Sequence, residues 1–416
     1  MNVTILEFYQ HLYPFEKVVD FFTRQGDELC NREFAIEGAF YSRFVVAHNA
    51  ADLKRQVLAM PDLKTFHVGP IYDGRIADRK SVMAPSRPFR KELVFDIDLT
   101  DYDFLTLSKP DGSVDVEACD RAWPVAAHAV FFLQRILKQE FGFVELAVLY
   151  SGRRGVHLYV CDESAMRLGD DARTAIVDRL NLGLSKGNKR AARGVHVLAT
   201  MNHLMGAVMY AFGENMVKGM QLLDPLQARL EFVDRLDLAN DPAFSDFEDG
   251  VLGKADGVAV WEYVQEKIKH ASTKKSWMQT LLEEVVLAYV WPRLDANVSK
   301  HLNHLLKAPL VAHPKSGRVA LPVDIANVYN FNPANVPNLN HWDGELLKAA
   351  LPLLHPTSVR EVAQTNQPNQ PNATNRPTQG APSSPHDLED LVTPPIRAAV
   401  NKKRRFVPKS STLKPR

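Results

Sequence analysis

The chain has 416 residues and a mass of 46.7 kDa, enough for roughly two to three domains with a sizeable core. Its composition, 45% hydrophobic and 24% charged, excludes a fibrous or wholly disordered protein, and no apolar run approaches the ~20 residues of a membrane helix. The formal net charge of +1 is uneven: residues 391–416 hold eight Lys or Arg and no acid, which leaves the rest at a formal −7. If this acidic body handles nucleic acid, it must concentrate positive charge locally.

Two further classes are excluded by the N-terminus and by cysteine usage. The N-terminal stretch has no basic start and carries Glu7 and Glu16 early, so we predict no signal peptide. Cys30, Cys119 and Cys161 are three isolated thiols. They exclude a disulfide scaffold or a four-cysteine zinc module and fit a reducing compartment.

The first part of the chain alternates between helical and strand patterns, which predicts a mixed α/β domain. Hydrophobic periodicity and turn residues define each segment. The predicted elements are a helix pair over 1–25 interrupted near Pro14, strands around 34–46 and 64–73, a strand over 92–99, a helix over 124–141 stopped at Gly142, and a strand–turn–strand over 144–163.

The pattern changes after Asn181. Residues 182–290 hold many helical stretches and few strand signals, which predicts an inserted all-helical subdomain. We therefore assign 1–181 and 291–355 to one α/β domain. Residues 356–416 are rich in Pro, Asn and Gln without a period, so we predict a disordered linker that ends in a basic tail containing KKRRFVPK. That cluster could be a nuclear import signal, a nucleic-acid clamp or a solvated tail.

Asp96 and Asp98 lie two residues apart on a predicted strand, so both carboxylates point to one face about 6.6–6.8 Å apart along the strand. Convergent anions repel, and a divalent cation between them relieves the repulsion. Oxygen ligands suit Mg²⁺ or Mn²⁺. On this motif alone, a solvated edge strand with two water-facing aspartates is the favoured interpretation.

The segment SGRRGVH, 151–157, is more informative. Two guanidinium groups, a hydroxyl and an imidazole lie on one glycine-containing turn between apolar strands, which suits a polyphosphate. An exposed basic hairpin is the alternative. We favour function here because the apolar strands on both sides predict a rigidly held turn.

A third segment contributes Asp295, Lys307 and His313 within nineteen residues. Taken singly, the aspartate is more often a helix cap and the two bases are ordinary surface. In combination with the other segments, they supply a third carboxylate and further phosphate-compensating charge.

Two other pairs have structural interpretations. Glu33 and Arg43 would face each other across a hairpin as an ion pair, and His301 with His304 resembles a metal-ligand pair without zinc partners at the required spacing. The sequence holds no Walker A loop, no GxGxxG and no nucleophile elbow.

Taken together, these motifs resemble the small catalytic subunit of eukaryotic-type DNA primase over about residues 5–335. The order of five segments carries the resemblance: FYQHLYPFE, NREF, KELVFDIDLTDYD, FGFVELAVLYSGRRGVHLYVCDE and WPRLDANVSKHLNHLLKAPLVAHPKSGR. The resemblance implies an archaeo-eukaryotic primase fold, a mixed α/β catalytic domain with an inserted helical subdomain. It also implies template-directed synthesis of short RNA primers from ribonucleoside triphosphates on single-stranded DNA.

The resemblance also implies roles for particular residues. Asp96, Asp98 and Asp295 match the ligands of two Mg²⁺ or Mn²⁺ ions, one lowering the pKa of the attacking 3′-hydroxyl and the other binding the triphosphate. Positions that match triphosphate contacts are Ser151, Arg153, Arg154, His157, Lys307 and His313. Glu33 and Arg43 match supporting residues that orient the acidic site.

The chain departs from the family pattern in two places. Family members place four cysteines after the DxD strand as a structural zinc site, whereas here only Cys119 remains and Ala122 stands at its CxxC partner position. Structural zinc is therefore doubtful, and we expect packing to hold the loop. On the strand over 64–73, Thr65 and His67 replace a family Lys and Asp near the nucleotide, which predicts weaker nucleotide binding.

By the same resemblance, we expect a heterodimer with the primase large subunit, a DNA polymerase alpha complex and a nuclear location, with no membrane partner. The helical segment 182–290 is the candidate docking region. Two rival functions remain open: a primase-fold polymerase for repair or lesion bypass, which would accept deoxynucleotides, and a catalytically inert DNA-binding scaffold. A metal-dependent nuclease would share the carboxylates but has no need of a triphosphate-binding turn.

Overall fold

The computed structural model describes residues 2–181, 205–273 and 278–358. Ten strands occur in this part of the chain: β1 (Arg32–Glu37), β2 (Tyr41–Val45), β3 (Thr65–Tyr72), β4 (Pro88–Arg90), β5 (Leu93–Asp98), β6 (Glu145–Tyr150), β7 (Gly155–Val160), β8 (Leu306–Lys307), β9 (Pro322–Val323) and β10 (Thr357–Ser358). All described residues belong to one compact unit. The mixed α/β architecture expected from the sequence is confirmed.

The helices of the described residues are mostly short. The α-helices are Ile5–Glu7, Phe15–Thr23, Ala50–Leu58, Val116–Arg121, Trp123–Phe141, Glu163–Met166, Asp170–Leu180, Leu226–Leu236, Phe247–Leu252, Gly257–Ser272, Leu281–Val290, Ala296–Lys300 and Gly344–Ala350, and π-helices cover Phe8–Leu12 and Phe212–Gly219. Residues 205–211 are also helical. None of the helices in these ranges is long and apolar enough to cross a membrane.

The first sheet has the order β2-β1-β3-β4, with β8 paired to the same edge of β3 as β4, and its strands are antiparallel. The N-terminal helices pack on it. As predicted, they are interrupted near Pro14, and the rings of Tyr9, Tyr13 and Phe15 contact that of Phe66 on β3. Buried aromatic contacts of this kind fix the position of β3.

The second sheet has the order β10-β6-β7-β5, with β9 also paired to β6. Strands β6 and β7 form the predicted strand–turn–strand, and the apolar helix Trp123–Phe141 ends at Gly142 in the left-handed conformation. Strand β5 is the edge strand. Its outer side is covered by the segment after Asp295, whose backbone N–H donates to Asp96 O at 3.0 Å, while Ser299 Oγ donates to Val94 O at 2.7 Å. The edge is therefore occupied rather than open to solvent.

Residues 205–273 and 278–290 contain helices and no strand. Their core is aromatic: the ring of Tyr289 contacts those of Phe212, Phe232 and, from the loop after β5, Phe104. The helical character predicted here is confirmed for these residues. The predicted disordered tail begins at residue 356, but Thr357 and Ser358 form β10 against β6, so its start was placed too early. The predicted stretches 182–204 and 274–277 and the tail from residue 359 onward lie outside the described residues, and the other domain boundaries stay predictions.

A shielded ion triad links three parts of the chain. Asp103 pairs with Arg235 at 3.2 Å and with Arg293 at 2.7 Å. Arg293 also donates to the backbone carbonyl of Asp101 at 2.6 Å. Because Arg293 lies two residues before Asp295, this triad joins the turn after β5, a helix of the helical segment and the third predicted motif.

Candidate functional site

A cleft of about 460 Å³ lies between the two sheets. Most of the residues singled out from the sequence line it, together with several that were not. The polar residues of its wall are Glu37, His67, Asp96, Asp98, Ser151, Arg153, Arg154, His157, Lys307, His313 and Lys315. Segments separated by more than 200 residues therefore meet at one place.

The two aspartates of β5 face the cleft, as the two-residue period predicts. Asp96 is opposite His157 in the register with β7, and the histidine Nε2 lies 3.6 Å from the Asp96 carboxylate. Asp98 accepts hydrogen bonds from the backbone N–H of Thr100 at 2.9 Å and from its hydroxyl at 2.7 Å. Arg154 Nε lies 3.0 Å from the same carboxylate. The paired strand β7 thus brings cations directly to the acidic pair.

Asp295 lies next to this pair through its backbone, but its exposed side chain does not line the cleft. The carboxylate caps the helix Ala296–Lys300 and accepts from the N–H of Asn297 at 3.0 Å. The structure therefore shows the helix-capping role that was considered from the sequence. Asp295 also lies close to Asp96, as the three-aspartate motif predicts.

The three aspartates influence one another electrostatically. Burial raises the pKa of Asp96, His157 opposes this, and the charges of Asp98 and Asp295 raise the pKa further. Burial and the same three carboxylates raise the pKa of Asp101. A local excess of negative charge of this kind favours a bound cation.

Whether these residues fit a divalent cation depends on their donor chemistry. Within the described ranges, no three His, Cys, Asp or Glu side chains are arranged as a ready metal cage. Asp98 and Asp295 instead direct their carboxylates at donors of the protein. The set nevertheless consists of carboxylate oxygens in mutual repulsion, which is the donor chemistry that Mg²⁺ and Mn²⁺ take. The residues fit such a cation.

The turn between β6 and β7 carries the predicted polyphosphate-binding residues. Ser151 N–H donates to Gly155 O at 2.9 Å, which closes the turn, and Gly152 adopts φ +85°. A Cβ at Gly152 would lie 2.9 Å from that of His313, so only glycine allows this close approach. The turn is therefore held against a second segment, as the flanking apolar strands suggested.

Lys307 and His313 complete the cationic wall. Lys307 on β8 pairs with His67 of β3, and burial lowers the pKa of Lys307. Burial and then the charges of Lys307 and Arg153 lower the pKa of His313 to about 3, so its imidazole is neutral at physiological pH. Among the described residues, neither Arg153 nor Lys307 has a carboxylate within 4.0 Å, so both charges are available to an anion.

The predicted pair Glu33 and Arg43 is confirmed as a contact. Arg43 Nε lies 2.8 Å from the buried Glu33 carboxylate, which also accepts from the hydroxyl of Tyr72 at 3.1 Å. Arg43 further donates to Asn303 O at 3.3 Å, in the segment that leads to β8. The pair therefore connects the first sheet to the Lys307 segment, and its orienting role stays a prediction.

Two of the residues considered from the sequence, His301 and Thr65, lie outside the cleft. His301 lies 3.2 Å from Asp170 on a neighbouring helix, in agreement with its structural interpretation. Thr65, expected near a nucleotide, is fully buried and does not line the cleft, whereas His67 does. Burial and then Lys307 lower the pKa of His67 to about 4, so a neutral imidazole occupies the position.

The residues present do not fit a structural zinc ion. Cys119 is buried within the helix Val116–Arg121, Ala122 caps that helix, and Cys30 and Cys161 belong to other segments. The helix is instead tied down by Asp120, which forms a bidentate ion pair with Arg318 at 2.6 and 2.8 Å.

The sequence reasoning missed several cleft and wall residues. Glu37 and Lys315 line the cleft, and Arg318 supports its wall. A signal existed for two of them, because Lys315 and Arg318 belong to the same HPKSGR string as His313. Glu37 ends β1 and had no local signal.

Comparison with known proteins agrees with this geometry. The family model described as DNA primase small subunit matches residues 95–325, which include β5, the Ser151–His157 turn and the Asp295–Arg318 segment. The mixed α/β architecture fits a primase domain. The chain is also similar to proteins named DNA primase small subunit. The one from Schizosaccharomyces pombe is 31% identical over 378 residues, which cover 83% of this chain and 78% of the relative. Those from Drosophila melanogaster and Saccharomyces cerevisiae are each 28% identical, over 352 residues (80% of this chain, 78% of the relative) and 362 residues (82% of this chain, 85% of the relative), respectively. This chain belongs to the DNA primase small subunit family.

Proposed function

We propose that this protein synthesises short RNA primers de novo from nucleoside triphosphates on single-stranded DNA, at replication initiation and on the lagging strand. One observation carries the proposal: a single cleft joins the acidic pair Asp96 and Asp98 to the cationic side chains of Arg153 and Lys307, neither of which has a carboxylate within 4.0 Å in the described part of the chain. An acidic site beside a polyphosphate-binding wall is what nucleotidyl transfer from a triphosphate requires.

In this proposal the chain's own residues position the triphosphate. Arg153, Arg154 and Lys307 compensate its negative charge, and Ser151 with the backbone of the turn approaches the phosphate oxygens. His313, neutral in the free protein, and His157 donate or accept hydrogen bonds at the edge of the cleft. Positioning and charge compensation account for most of the rate enhancement in phosphoryl-type transfer.

Asp96 and Asp98 would hold the divalent cations, Mg²⁺ or Mn²⁺, and Asp295 would join them by turning its carboxylate away from the N–H of Asn297. When bound, such cations supply a lowered pKa for an attacking 3′-hydroxyl and charge compensation for the departing pyrophosphate. Glu33 and Arg43 would keep the first sheet in register with the Lys307 segment while the substrate binds.

The proposal includes partners and a location. We infer a heterodimer with the primase large subunit, docked on the helical segment 182–290, and assembly with the DNA polymerase alpha complex in the nuclear primosome. The formal −7 of residues 1–390 supports this, because a body of that charge should bind DNA weakly and with strong salt dependence when isolated. A fluorescent fusion lacking residues 402–405 would test whether KKRRFVPK directs nuclear import.

The decisive experiment is primer synthesis without an added primer. A single-stranded homopyrimidine template, the matching labelled purine nucleoside triphosphate and Mg²⁺ or Mn²⁺ would be incubated with the purified chain or with Asp98→Ala. Products from the wild type and none from the variant support the proposal. Absence of product even with the large subunit would contradict it and favour the inert scaffold.

The rival repair or lesion-bypass polymerase is distinguished in the same assay. Deoxynucleotides would replace ribonucleotides, with and without a pre-annealed primer. Efficient extension with deoxynucleotides combined with no de novo ribonucleotide product would favour the rival.

A further inference from the structure

Two turns on one wall of the cleft interlock. The first, residues 151–154, carries Arg153, and the second, residues 313–318, begins with His313. Ser316 Oγ donates to Gly152 O at 2.6 Å, and an added Cβ at Gly152 would lie 3.0 Å from Arg318 O. Because the two turns are in van der Waals contact, a shift of one changes the distance between Arg153 and His313.

Arg318 contacts both turns without lining the cleft. Its backbone carbonyl accepts from His313 N–H at 2.8 Å, which closes the second turn. Its guanidinium lies 3.3 Å from the hydroxyl of Tyr150, and that hydroxyl donates to the backbone carbonyl of Arg153 at 3.0 Å. The side chain thus connects the ends of both turns through one buried tyrosine.

Asp120 fixes the orientation of this guanidinium. The bidentate pair has distances of 2.6 and 2.8 Å, and both side chains are shielded, at 12% and 13% exposure. The hydrogen bond to Asp120 raises the pKa of Arg318, so the guanidinium stays charged. A bidentate carboxylate–guanidinium pair restricts direction as well as distance.

We propose that the Asp120–Arg318 pair is a positioning device for the triphosphate site, which sets Arg153 and His313 at the separation that a bound triphosphate requires. The inference rests on the proposed function. Neither residue of the pair touches the cleft, so both act through the two turns. A purely structural role is the alternative, and it predicts a loss of stability with unchanged nucleotide binding.

The test is a comparison of steady-state kinetics with nucleotide binding. Asp120→Asn keeps the shape of the side chain and removes its charge. We expect the KM for the nucleoside triphosphate to rise about tenfold or more while kcat changes less, since small misplacements of binding groups have effects of up to ~10²-fold. Asp120→Glu should restore much of the KM, and Tyr150→Phe should raise it with the ion pair intact.

Asp27→Asn is the matched control. Asp27 pairs with Arg90 at 3.3 Å and a similar exposure, away from the cleft. It should leave the KM unchanged, because it removes a shielded carboxylate–guanidinium contact that lies outside the cleft. If Asp120→Asn behaves like Asp27→Asn, the inference is overturned. If Asp120→Asn fails to fold, an unchanged KM in Tyr150→Phe overturns it instead.

Titration calorimetry with ATP and Mn²⁺ measures nucleotide affinity at the site independently of catalysis. A wild-type chain that binds ATP and makes primers, together with an Asp120→Asn variant that binds equally well, overturns the positioning role alone. A wild-type chain that neither binds ATP nor makes primers overturns the proposed function and this inference with it. Weaker ATP binding by Asp120→Asn and Tyr150→Phe supports the inference even if primer synthesis is absent.

Discussion

The molecule uses many charges in two adjacent regions, and it uses them differently. In the buried network of Arg24, Arg32, Lys91, Glu92 and Arg173, nearly every charge is satisfied. Arg32 forms two bonds to Glu92 at 3.0 and 3.1 Å, and burial would raise the pKa of Glu92, but Arg32 and Arg24 outweigh burial and lower it. Arg173 donates to backbone carbonyls of several segments. This network holds several elements of the fold together. It lies close to the cleft in sequence, because Lys91 and Glu92 precede Asp96 by only five and four residues.

The cleft shows the opposite arrangement. Its carboxylates repel one another, which raises the pKa of Asp96 beyond the effect of burial, and Arg153 has no carboxylate within 4.0 Å among the described residues. Charges whose neighbours are of the same sign are costly unless a ligand compensates them. The difference is that the Arg32–Glu92 pair of the network is closed within the protein, whereas Arg153 and Lys307 leave positive charge at the cleft for a ligand to compensate.

The largest effect is expected at Asp96, where a substitution should greatly lower activity without lowering stability. Asp96→Asn should lower primer synthesis by at least about 10³-fold, because several kcal/mol of transition-state stabilisation depend on that carboxylate. Without divalent cations, its free energy of unfolding should stay equal or rise by about 1 kcal/mol, because the variant removes a repelling charge. Urea unfolding in EDTA and the primer assay would measure both. A clear loss of stability would contradict the comparison.

The reverse separation is expected at Glu92. Glu92→Gln leaves the buried guanidinium of Arg32 without its counter-charge, which should cost about 3–5 kcal/mol of unfolding free energy. Glu345→Gln is the control, because its pair with Lys348 is exposed to solvent and should contribute little to stability. Equal effects of the two variants in urea unfolding would show that the network does not stabilise the fold.

The network also predicts a pH dependence. Burial and then the charge of Arg173 lower the pKa of Lys91 to about 7, well below that of the unfolded chain. Since the unfolded state binds this proton more tightly, the contribution of Lys91 is least favourable below pH 7 and improves as pH rises from about 7 towards 10. Lys91→Met should remove a slope of about 1 kcal/mol per pH unit. Identical slopes for both proteins between pH 7.5 and 9 would refute this.

A smaller effect on nucleotide binding is expected when a carboxylate is introduced at position 67 of the cleft. Asp at position 67 would place a carboxylate opposite Lys307 in the strand register, where a neutral imidazole now lies. His67→Asp restores the acidic residue that the family carries near the nucleotide, while Arg153 and Arg154 still face the phosphates. It should therefore lower the KM for the nucleoside triphosphate about threefold, an effect of the size of one partly exposed polar contact. His67→Asn is the uncharged control. If both variants have the same KM, the charge is irrelevant to nucleotide binding.

The smallest effect is expected at Cys119. The helix that carries it is held in place by the Asp120–Arg318 ion pair rather than by a zinc ion. A zinc-selective chelator should leave the melting temperature unchanged, and Cys119→Ala should cost no more than about 1 kcal/mol. Loss of a structural zinc ion would cost far more, because metal binding of this kind contributes directly to folding. Release of stoichiometric zinc on unfolding would refute the prediction.

Much of the local structure could be predicted from the sequence. The two-residue period of β5 predicted that Asp96 and Asp98 share a face, and the turn between β6 and β7 was predicted from its glycines and apolar flanks. Period and turn chemistry depend on neighbours in the chain, so they can be read from it. The predicted pairing of Glu33 with Arg43 followed in the same way from a short hairpin.

Only the tertiary structure decided how these segments meet. Asp120 and Arg318 are 198 residues apart, and Asp295 covers the edge of β5 through a backbone bond to Asp96 across a similar separation. Thr65 lies two residues from His67 on the same strand, yet one is buried and the other lines the cleft. Such outcomes depend on which strands pair and on how side chains pack across the whole unit, and a local pattern holds no information about either.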